Sequence, residues 1–213
     1  LYEAQRELKN IPKLLLVEGY FDVIALAQHG VNNAIATLGT SVSKYHLEKI
    51  FRNTSEIIFC FDGDNAGRAA ADRALDTSLT ELNDGLTARF LFLPEGHDPD
   101  SLIRDRGRKV FLDLIETSLP LSEFFFSQMM DGIDLSTVDG KAKFCKICAP
   151  HIHKIPDGVF KHLMFKELAV RTGVPKEDLR HFISDNNSNH IEDTHVNESS
   201  SDSEITGAAV KNS

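Results

Sequence analysis

The feature that most constrains this chain is a series of short apolar segments, most of which are followed by a stretch with helical periodicity. Leu14–Val17 and Ile57–Phe61 are typical of strands that are buried on both faces. Weaker strand candidates lie at residues 33–37 and 88–93. Apolar residues at helical spacing occupy residues 20–28, 43–51 and 65–82. Strands and helices that alternate with short connections predict an α/β fold with a mostly parallel central sheet.

The character of the sequence changes after Pro94, beyond which the helical patterns end near prolines. The predicted helices are 107–118, 121–130, 141–149, 159–172 and 176–182. From Ser184 onward Asn, Ser, Asp and Glu dominate, which is typical of a disordered tail or a linker. These patterns divide the chain into an N-terminal connector (1–12), an α/β domain (13–95), a small all-α subdomain (96–183) and an acidic tail (184–213).

Composition narrows the classes of function. No apolar run approaches the roughly 20 residues of a membrane span. The three cysteines are too few and too scattered for a disulfide framework, which favours a reducing cytoplasm. The chain begins without Met or a signal peptide, so we expect an internal fragment. The tail from 184 to 213 supplies −5 of the net charge of −9, so residues 1–183 carry −4. A negative charge on this part of the chain does not favour tight binding to a phosphate backbone.

Acidic side chains follow three of the predicted strands. These acids are Glu18 after the first apolar run, Asp62 and Asp64 after the run at 57–61, and Asp98 and Asp100 after the last strand candidate. Because the carboxyl ends of parallel strands meet at one edge of a sheet, we expect Glu18 and Asp62 to face the same crevice. Asp98 has the sequence context of a helix N-cap, and we expect that helix end to lean over the same crevice.

Carboxylates gathered in this way favour a cation site. Unscreened pairs at about 4 Å repel by on the order of 1–4 kcal/mol, and a divalent cation removes that repulsion. Hard oxygen ligands suit Mg²⁺, with Mn²⁺ as a substitute. The alternative is purely local structure, because an Asp-Gly after a strand is usually a turn and Asp98 alone would be only a cap. Acids at the ends of three strands together favour the metal site.

Two motifs carry a family resemblance. Residues 17–23 read Val-Glu-Gly-Tyr-Phe-Asp-Val and residues 61–67 read Phe-Asp-Gly-Asp-Asn-Ala-Gly, and both resemble the defining motifs of the TOPRIM domain. Leu-Gly-Thr at 38–40, Asp-Pro-Asp-Ser-Leu at 98–102 and Pro-Leu-Ser at 120–122 are similar to segments of bacterial DnaG-type primases. The resemblance covers roughly residues 1–182 and is to the TOPRIM domain and the helical C-terminal part of that family's RNA polymerase core.

The resemblance implies a nucleotidyltransferase, a DNA-directed RNA polymerase that makes short RNA primers for replication. Its substrates would be a single-stranded DNA template and ribonucleoside triphosphates, and its cofactor Mg²⁺. The acids implied as catalytic and metal-binding are Glu18, Asp62 and Asp64, and those implied as further metal ligands are Asp98 and Asp100. Asp22 matches a motif acid whose role is less defined, and Thr40 and Arg68 are weaker candidates for phosphate contacts.

We expect three parts of that family's enzyme to be missing from this sequence. They are the zinc-binding domain, the basic half of the polymerase core that holds template and nucleotide, and the C-terminal domain that binds the replicative helicase. We therefore expect a bacterial, cytoplasmic, monomeric fragment that binds metal and primes poorly or not at all by itself.

Two other functions remain open. A TOPRIM nuclease would use similar acids to cleave phosphodiesters, although the match through 98–102 and the helical part favours a primase. A non-catalytic interaction module would use the helical part alone, and the intact acids argue against it. The possible zinc ligands Cys145, Cys148, His151 and His153 are too closely spaced for a usual zinc site, so no zinc is expected. Phe124–Phe126 favour helix packing over base stacking.

Overall fold

The computed structural model describes residues 11–37, 41–175 and 179. Its sheet has five strands in the order β2-β1-β3-β4-β5. The strands are β1 (Leu14–Val17), β2 (Ala34–Ala36), β3 (Glu56–Phe61), β4 (Thr87–Phe92) and β5 (Leu119–Pro120). The first four pair in parallel, and β5 joins β4 in the antiparallel direction. The predicted α/β class with a mostly parallel sheet is confirmed.

Seven helices connect and cover these strands in the described part of the chain. They are α1 (Tyr20–Gln28), α2 (Lys44–Phe51), α3 (Asn65–Glu81), α4 (Pro99–Glu116), α5 (Leu121–Met129), α6 (Val138–Lys154) and α7 (Val159–Thr172). The predicted bounds of α1 and α7 are confirmed. Apolar residues at helical spacing followed by Gly30 indicated those of α1, and Pro175 lies shortly after the end of α7.

The sheet is buried on both faces, as its apolar strands predict. Because side chains alternate along a strand, Leu15 and Val17 of β1 face one side and Leu14 and Leu16 the other. On the first side they pack with apolar residues of α1 and α4. On the second side the core includes α2, α3 and the helical part that begins with α5. Helix α4, which lies in the segment assigned to the helical subdomain, therefore covers the sheet.

The aromatic run at the start of the helical part is buried. Phe125 and Phe126 are 0% and 1% exposed, and the ring of Phe124 stacks on Phe90 of β4 with centroids 4.5 Å apart. The predicted role of these residues in helix packing is confirmed. They belong to one apolar cluster that also contains β3 and α3, so the core is continuous across the proposed boundary at residue 95.

Three predictions about the segment after Pro94 differ from the structure. The helix start predicted at Asp98 and the helix predicted at 107–118 belong to one helix, α4, whose regular geometry is broken at Gly107 (φ 77°). Helix α6 continues through Pro150 to Lys154, although the proline was expected to end it. Pro150 is exposed, so its ring lies on the solvent side of that helix. The segment predicted to be all-α also contains β5, which extends the sheet by one short strand.

Several predictions fall on other parts of the chain. Thr40, most of the connector 1–12, all but Leu179 of the predicted helix 176–182, and the tail 184–213 lie outside the described residues. Within the residues that the structure describes, no helix combines the length and the apolar character that a membrane crossing requires.

Candidate metal centre

Glu18 lies at the carboxyl end of β1. The sheet register places Leu16 beside Phe59, so Glu18 is level with the last residue of β3 and next to the position of Asp62. The side chain is partly buried, and its Oε1 atom is buried without a hydrogen-bond partner in the described part of the chain. Buried polar atoms are normally paired, so this oxygen is suited to a group that the chain does not supply.

Asp62 and Asp64 lie in the turn between β3 and α3. The Oδ1 atom of Asp62 is also buried and has no hydrogen-bond partner among the described residues. Asp64 is the N-cap of α3, and its Oδ1 accepts a hydrogen bond from the backbone N–H of Gly67 at 2.7 Å. One oxygen of Asp64 is thereby used to start the helix, while the carboxylate stays at the sheet edge.

Two glycines allow this turn to pack closely. A Cβ atom on Gly63 would lie 2.1 Å from the carbonyl oxygen of Pro94, and one on Gly67 would lie 2.4 Å from the carbonyl oxygen of Asp62. Both distances are far inside van der Waals contact with backbone atoms. Glycine at these positions therefore lets the Asp62–Asp64 turn press against the loop that follows β4, and Gly63 N–H donates to His97 O there at 3.1 Å.

Asp98 and Asp100 lie at the start of α4. The predicted N-cap role of Asp98 is confirmed, because its Oδ1 accepts from the backbone N–H of Ser101 at 2.7 Å. Asp100 forms an ion pair with Arg104 at 2.5 Å. Asp98 therefore already has a local hydrogen-bond partner. The buried Oδ1 atom of Asp100 resembles the buried oxygens of Glu18 and Asp62, because among the described residues it has no hydrogen bond and only the ion pair with Arg104.

Asp22 joins α1 to α4 beside these acids. Its Oδ2 atom accepts from the backbone N–H of Gly19 at 3.1 Å, and its Oδ1 atom accepts from the backbone N–H of Asp100 at 3.3 Å. The carboxylate thus positions the first turns of two helices at the edge where Glu18 and Asp62 lie. Its place in the motif after Glu18 was visible in the sequence, but this bridging contact was not.

Burial and mutual repulsion disfavour the charged forms of the central acids. Burial, followed by the charges of Glu18, Asp22 and Asp98, raises the pKa of Asp62 to about 7. Burial and the charge of Asp64 raise the pKa of Glu18, while the charge of Arg73 acts in the opposite direction. The pKa of Asp98 is lowered, because the backbone N–H of Ser101 donates to its carboxylate. The centre is therefore short of positive charge at Asp62 and Glu18.

The donor chemistry fits a hard divalent cation. Glu18 and Asp62 provide buried carboxylate oxygens that have no hydrogen-bond partner among the described residues, and the raised pKa of Asp62 reflects burial and the negative charges around it. Within residues 11–37, 41–175 and 179, no three His, Cys, Asp or Glu side chains are arranged as a complete metal site. Mg²⁺ commonly uses only one or two carboxylates and completes its shell with water and substrate phosphates, so this arrangement suits it.

The basic candidates are divided between two sides of α3. Arg68 has its guanidinium carbon 6.0 Å from the centroid of the Phe92 ring, on the β4 side. Arg73, which sequence reasoning missed, donates from Nε to Ser41 Oγ at 3.2 Å and acts on Glu18. Nothing in the sequence distinguishes Arg73 from an ordinary solvated helix position.

Two family models match the chain. One, described as Toprim-like, matches residues 15–103. The other, described as the DnaB-helicase binding domain of primase, matches residues 122–177. The second match falls on the helical part, whereas we expected the helicase-binding region to be missing from the chain.

Curated relatives carry the name DNA primase. The protein from Legionella pneumophila is 44% identical over 185 residues, which cover 87% of this chain and 32% of that protein. The protein from Pseudomonas putida strain KT2440 is 48% identical over 180 residues, covering 84% of this chain and 27% of that protein. The chain thus spans about a third or less of the length of these relatives.

Solved structures agree with the sequence relatives. A DNA primase domain from Pseudomonas aeruginosa superposes with a TM-score of 0.83 at 47% identity, covering 85% of this chain and 57% of that one. The DnaG primase catalytic domain bound to ssDNA gives a TM-score of 0.79 at 44% identity, covering 84% of this chain and 56% of that one. By sequence and fold, the chain belongs to the bacterial DnaG-type primase family, in which it corresponds to the TOPRIM domain and the helical part of the catalytic core.

Proposed function

We propose that this chain provides the metal-binding part of a DNA primase catalytic core, which makes short RNA primers by two-metal nucleotidyl transfer. The observation that carries the proposal is that two buried oxygens at one edge of the sheet, Glu18 Oε1 and Asp62 Oδ1, have no hydrogen-bond partner in the described part of the chain. The names of the relatives and the related catalytic domain bound to ssDNA support primer synthesis from ribonucleoside triphosphates on single-stranded DNA.

The acids fall into two groups in the proposed chemistry. Glu18, Asp62 and Asp64 would hold Mg²⁺ or Mn²⁺, while Asp98 and Asp100 are further candidate ligands at the start of α4. When bound, such ions activate the attacking hydroxyl and stabilise the leaving phosphate. The pKa of Asp62 is raised to about 7. A bound cation would favour loss of this proton, because it would neutralise the charge of the carboxylate.

The remaining parts of the proposal concern partners and context. The family match at 122–177 supports the replicative helicase as a partner. The share of the relatives' length that the chain spans supports the view that it primes poorly when tested alone, since 43% of the Pseudomonas aeruginosa domain has no match here. A cytoplasmic location in bacteria is consistent with a role on chromosomal DNA.

A hybrid enzyme tests this proposal. Residues 11–179 would replace the matching segment of a full-length DnaG-type primase, and primer synthesis would be measured on single-stranded DNA with Mg²⁺. We expect the hybrid to prime, and Glu18→Gln or Asp62→Asn to lower the rate by about 100-fold or more, because each removes an acid from the cation site. Binding of single-stranded DNA, measured by fluorescence anisotropy, should stay unchanged. A hybrid that primes equally well with both substitutions would refute the proposal.

A further inference from the structure

A pocket lies beside Glu18, at the point where the order of the sheet reverses between β1 and β3. In open α/β sheets, ligands bind at the carboxyl ends of the strands at such a reversal. The pocket has an apolar floor that includes Phe59 and Phe61. Its polar lining consists of Glu18, Thr37, Ser41 and Arg73. An acid, a cation and two hydroxyl groups therefore meet over an apolar floor.

The size of the pocket limits what it can take. Its volume is about 130 Å³. Sites that enclose a whole drug-sized ligand usually have about 300–1,000 Å³. The pocket therefore suits one end of a ligand, of the size of a phosphate group or two, and not a complete nucleotide.

Arg73 gives the pocket its positive charge. Its side chain is exposed, and among the described residues it forms no ion pair with a carboxylate. The single hydrogen bond that it makes there runs from Nε to Ser41 Oγ at 3.2 Å. A guanidinium has five N–H donors in a planar fork that matches phosphate oxygens, and among the described residues only the Nε–H of Arg73 has an acceptor.

We infer that this pocket is a subsite for the outer phosphates of a nucleoside triphosphate, or for the pyrophosphate released from it, and that Arg73 donates to their oxygens. The inference rests on the proposed function, because a cation at Glu18 and Asp62 would hold the inner part of the same phosphate chain. Glu18 and Arg73 line one pocket, so a phosphate chain held beside the acid also meets the guanidinium.

A purely structural role for Arg73 is the competing explanation. Its bond to Ser41 ties the segment before α2 to α3. Two other contacts do the same: Thr77 Oγ1 donates to Val42 O at 3.3 Å, and Lys44 pairs with Glu81 at 3.0 Å. Because the segment has these additional ties, loss of the guanidinium should leave it in place. Thr77→Val, which removes a tie but no charge, is therefore the matched control.

Calorimetric titration with Mg²⁺ present tests the subsite with two probes, inorganic pyrophosphate and a nucleoside triphosphate analogue with a methylene bridge between its α and β phosphates. We expect Arg73→Met to weaken binding of both by about tenfold or more, as loss of a charge-assisted hydrogen bond does. Arg73→Lys should keep part of the affinity, and Thr77→Val all of it. If only the analogue weakens, the subsite serves the triphosphate; if only pyrophosphate weakens, it serves the product.

Unchanged binding of both probes in Arg73→Met would overturn the inference, as would a loss in Thr77→Val equal to that in Arg73→Met. Electron paramagnetic resonance with Mn²⁺ separates this failure from failure of the proposed function. Removing a positive charge beside Glu18 should leave Mn²⁺ binding at least as tight as in the parent. If the parent binds Mn²⁺ but Arg73→Met does not, the substitution has disrupted the site and the subsite is rejected. If the parent binds no Mn²⁺, both proposals fall.

Discussion

At the scale of single residues, the Asp62 carboxyl shows how protonation limits the negative charge of the centre when no cation is bound. Its pKa in the folded chain is raised from 3.8 to about 7, mainly by burial. Between these values the folded chain binds more protons at Asp62 than the unfolded chain, so the stability of the folded state falls as the pH rises through this window. The loss of folding stability is greatest above pH 7, where the Asp62 carboxylate is charged and no cation neutralises it.

Asp62→Asn should therefore stabilise the metal-free protein at high pH. In EDTA at pH 8, we expect its melting temperature to exceed that of the parent by about 2–4 °C, which corresponds to about 1 kcal/mol after allowing for solvent screening. At pH 4 the difference should vanish. Thermal unfolding followed by circular dichroism measures both values. The matched control is Asp113→Asn, an exposed carboxylate on α4, and equal pH dependence in the parent and Asp62→Asn would contradict the account.

Gly63 shows how backbone packing positions the same carboxyl. A Cβ atom there would lie 2.1 Å from Pro94 O, so Gly63→Ala must move one of two backbone segments. We expect a loss of about 3 kcal/mol in the free energy of unfolding, the upper range for overpacking, measured by urea denaturation. Gly96→Ala is the control in the neighbouring loop, because a Cβ atom there has no other atom within 4 Å. Its positive φ of 78° alone disfavours alanine, so the free energy of unfolding should fall by about 1 kcal/mol. Equal losses would show that close packing at Gly63 is unimportant.

At the scale of elements, Asp84 joins the loop before β4 to the start of α7. Its carboxylate accepts from the backbone N–H groups of Val159 and Phe160, both at 2.8 Å, and these bonds lower the pKa of Asp84. Helix α7 has no side-chain cap of its own, so a residue from a distant part of the chain caps it.

Asp84→Ala should lower the melting temperature at pH 7, because two N–H groups at the start of α7 lose their acceptor. A folded-state pKa that is lowered means that this stabilisation is present at neutral pH and is lost as the pH falls through the folded-state pKa. The difference between Asp84→Ala and the parent should therefore shrink in acid. Differential scanning calorimetry at neutral and acidic pH measures it, with Asp113→Ala as control, and a difference that grows in acid would contradict the cap.

Local patterns predicted most elements, and the exceptions have physical causes. Uninterrupted apolar runs marked β1 and β3, and glycine after helical spacing marked the end of α1. The N-cap at Asp98 and the helix from residue 107 were both predicted, but the break at Gly107 hid that they belong to one helix, α4. Strand β5 has two residues and owes its place to pairing with β4, a long-range contact that no local pattern shows.

At the scale of the whole molecule, the sheet and the helical part share one apolar core. Leu75 and Leu79 of α3, Phe125 of α5, Ile152 of α6 and Phe165 of α7 are buried in the same cluster. Neither part could separate without exposing this surface to water. Polar contacts follow the same seam, as Gln128 donates to Asp72 at 2.6 Å.

The folded chain should therefore unfold in one cooperative step. We expect a single calorimetric transition whose calorimetric and van't Hoff enthalpies agree, and coincident urea transitions by circular dichroism and tyrosine fluorescence. Ile152→Ala should move the whole transition by about 2–5 kcal/mol. Two separate transitions, with the substitution affecting only one, would mean that residues 13–95 and 96–183 are independent domains.

The candidate site was predictable where it depends on strand ends and not where it depends on helix faces. Glu18 and Asp62 could be placed together, because parallel strands bring their carboxyl ends to one edge. Arg73 and the bridging contact of Asp22 could not, because both depend on how helices rotate and pack against that edge. The ion pair of Asp100 with Arg104 likewise emerged only from the structure, whereas the N-cap role of Asp98 was predicted from the sequence.

A Mn²⁺ titration followed by electron paramagnetic resonance tests the central claim most directly. The parent should bind Mn²⁺, and Glu18→Gln and Asp62→Asn should each weaken that binding by about tenfold or more, because each replaces one of the buried carboxylates at the sheet edge. Asp113→Asn should bind like the parent. No binding in the parent, or equal binding in all four proteins, would contradict a metal centre at Glu18 and Asp62.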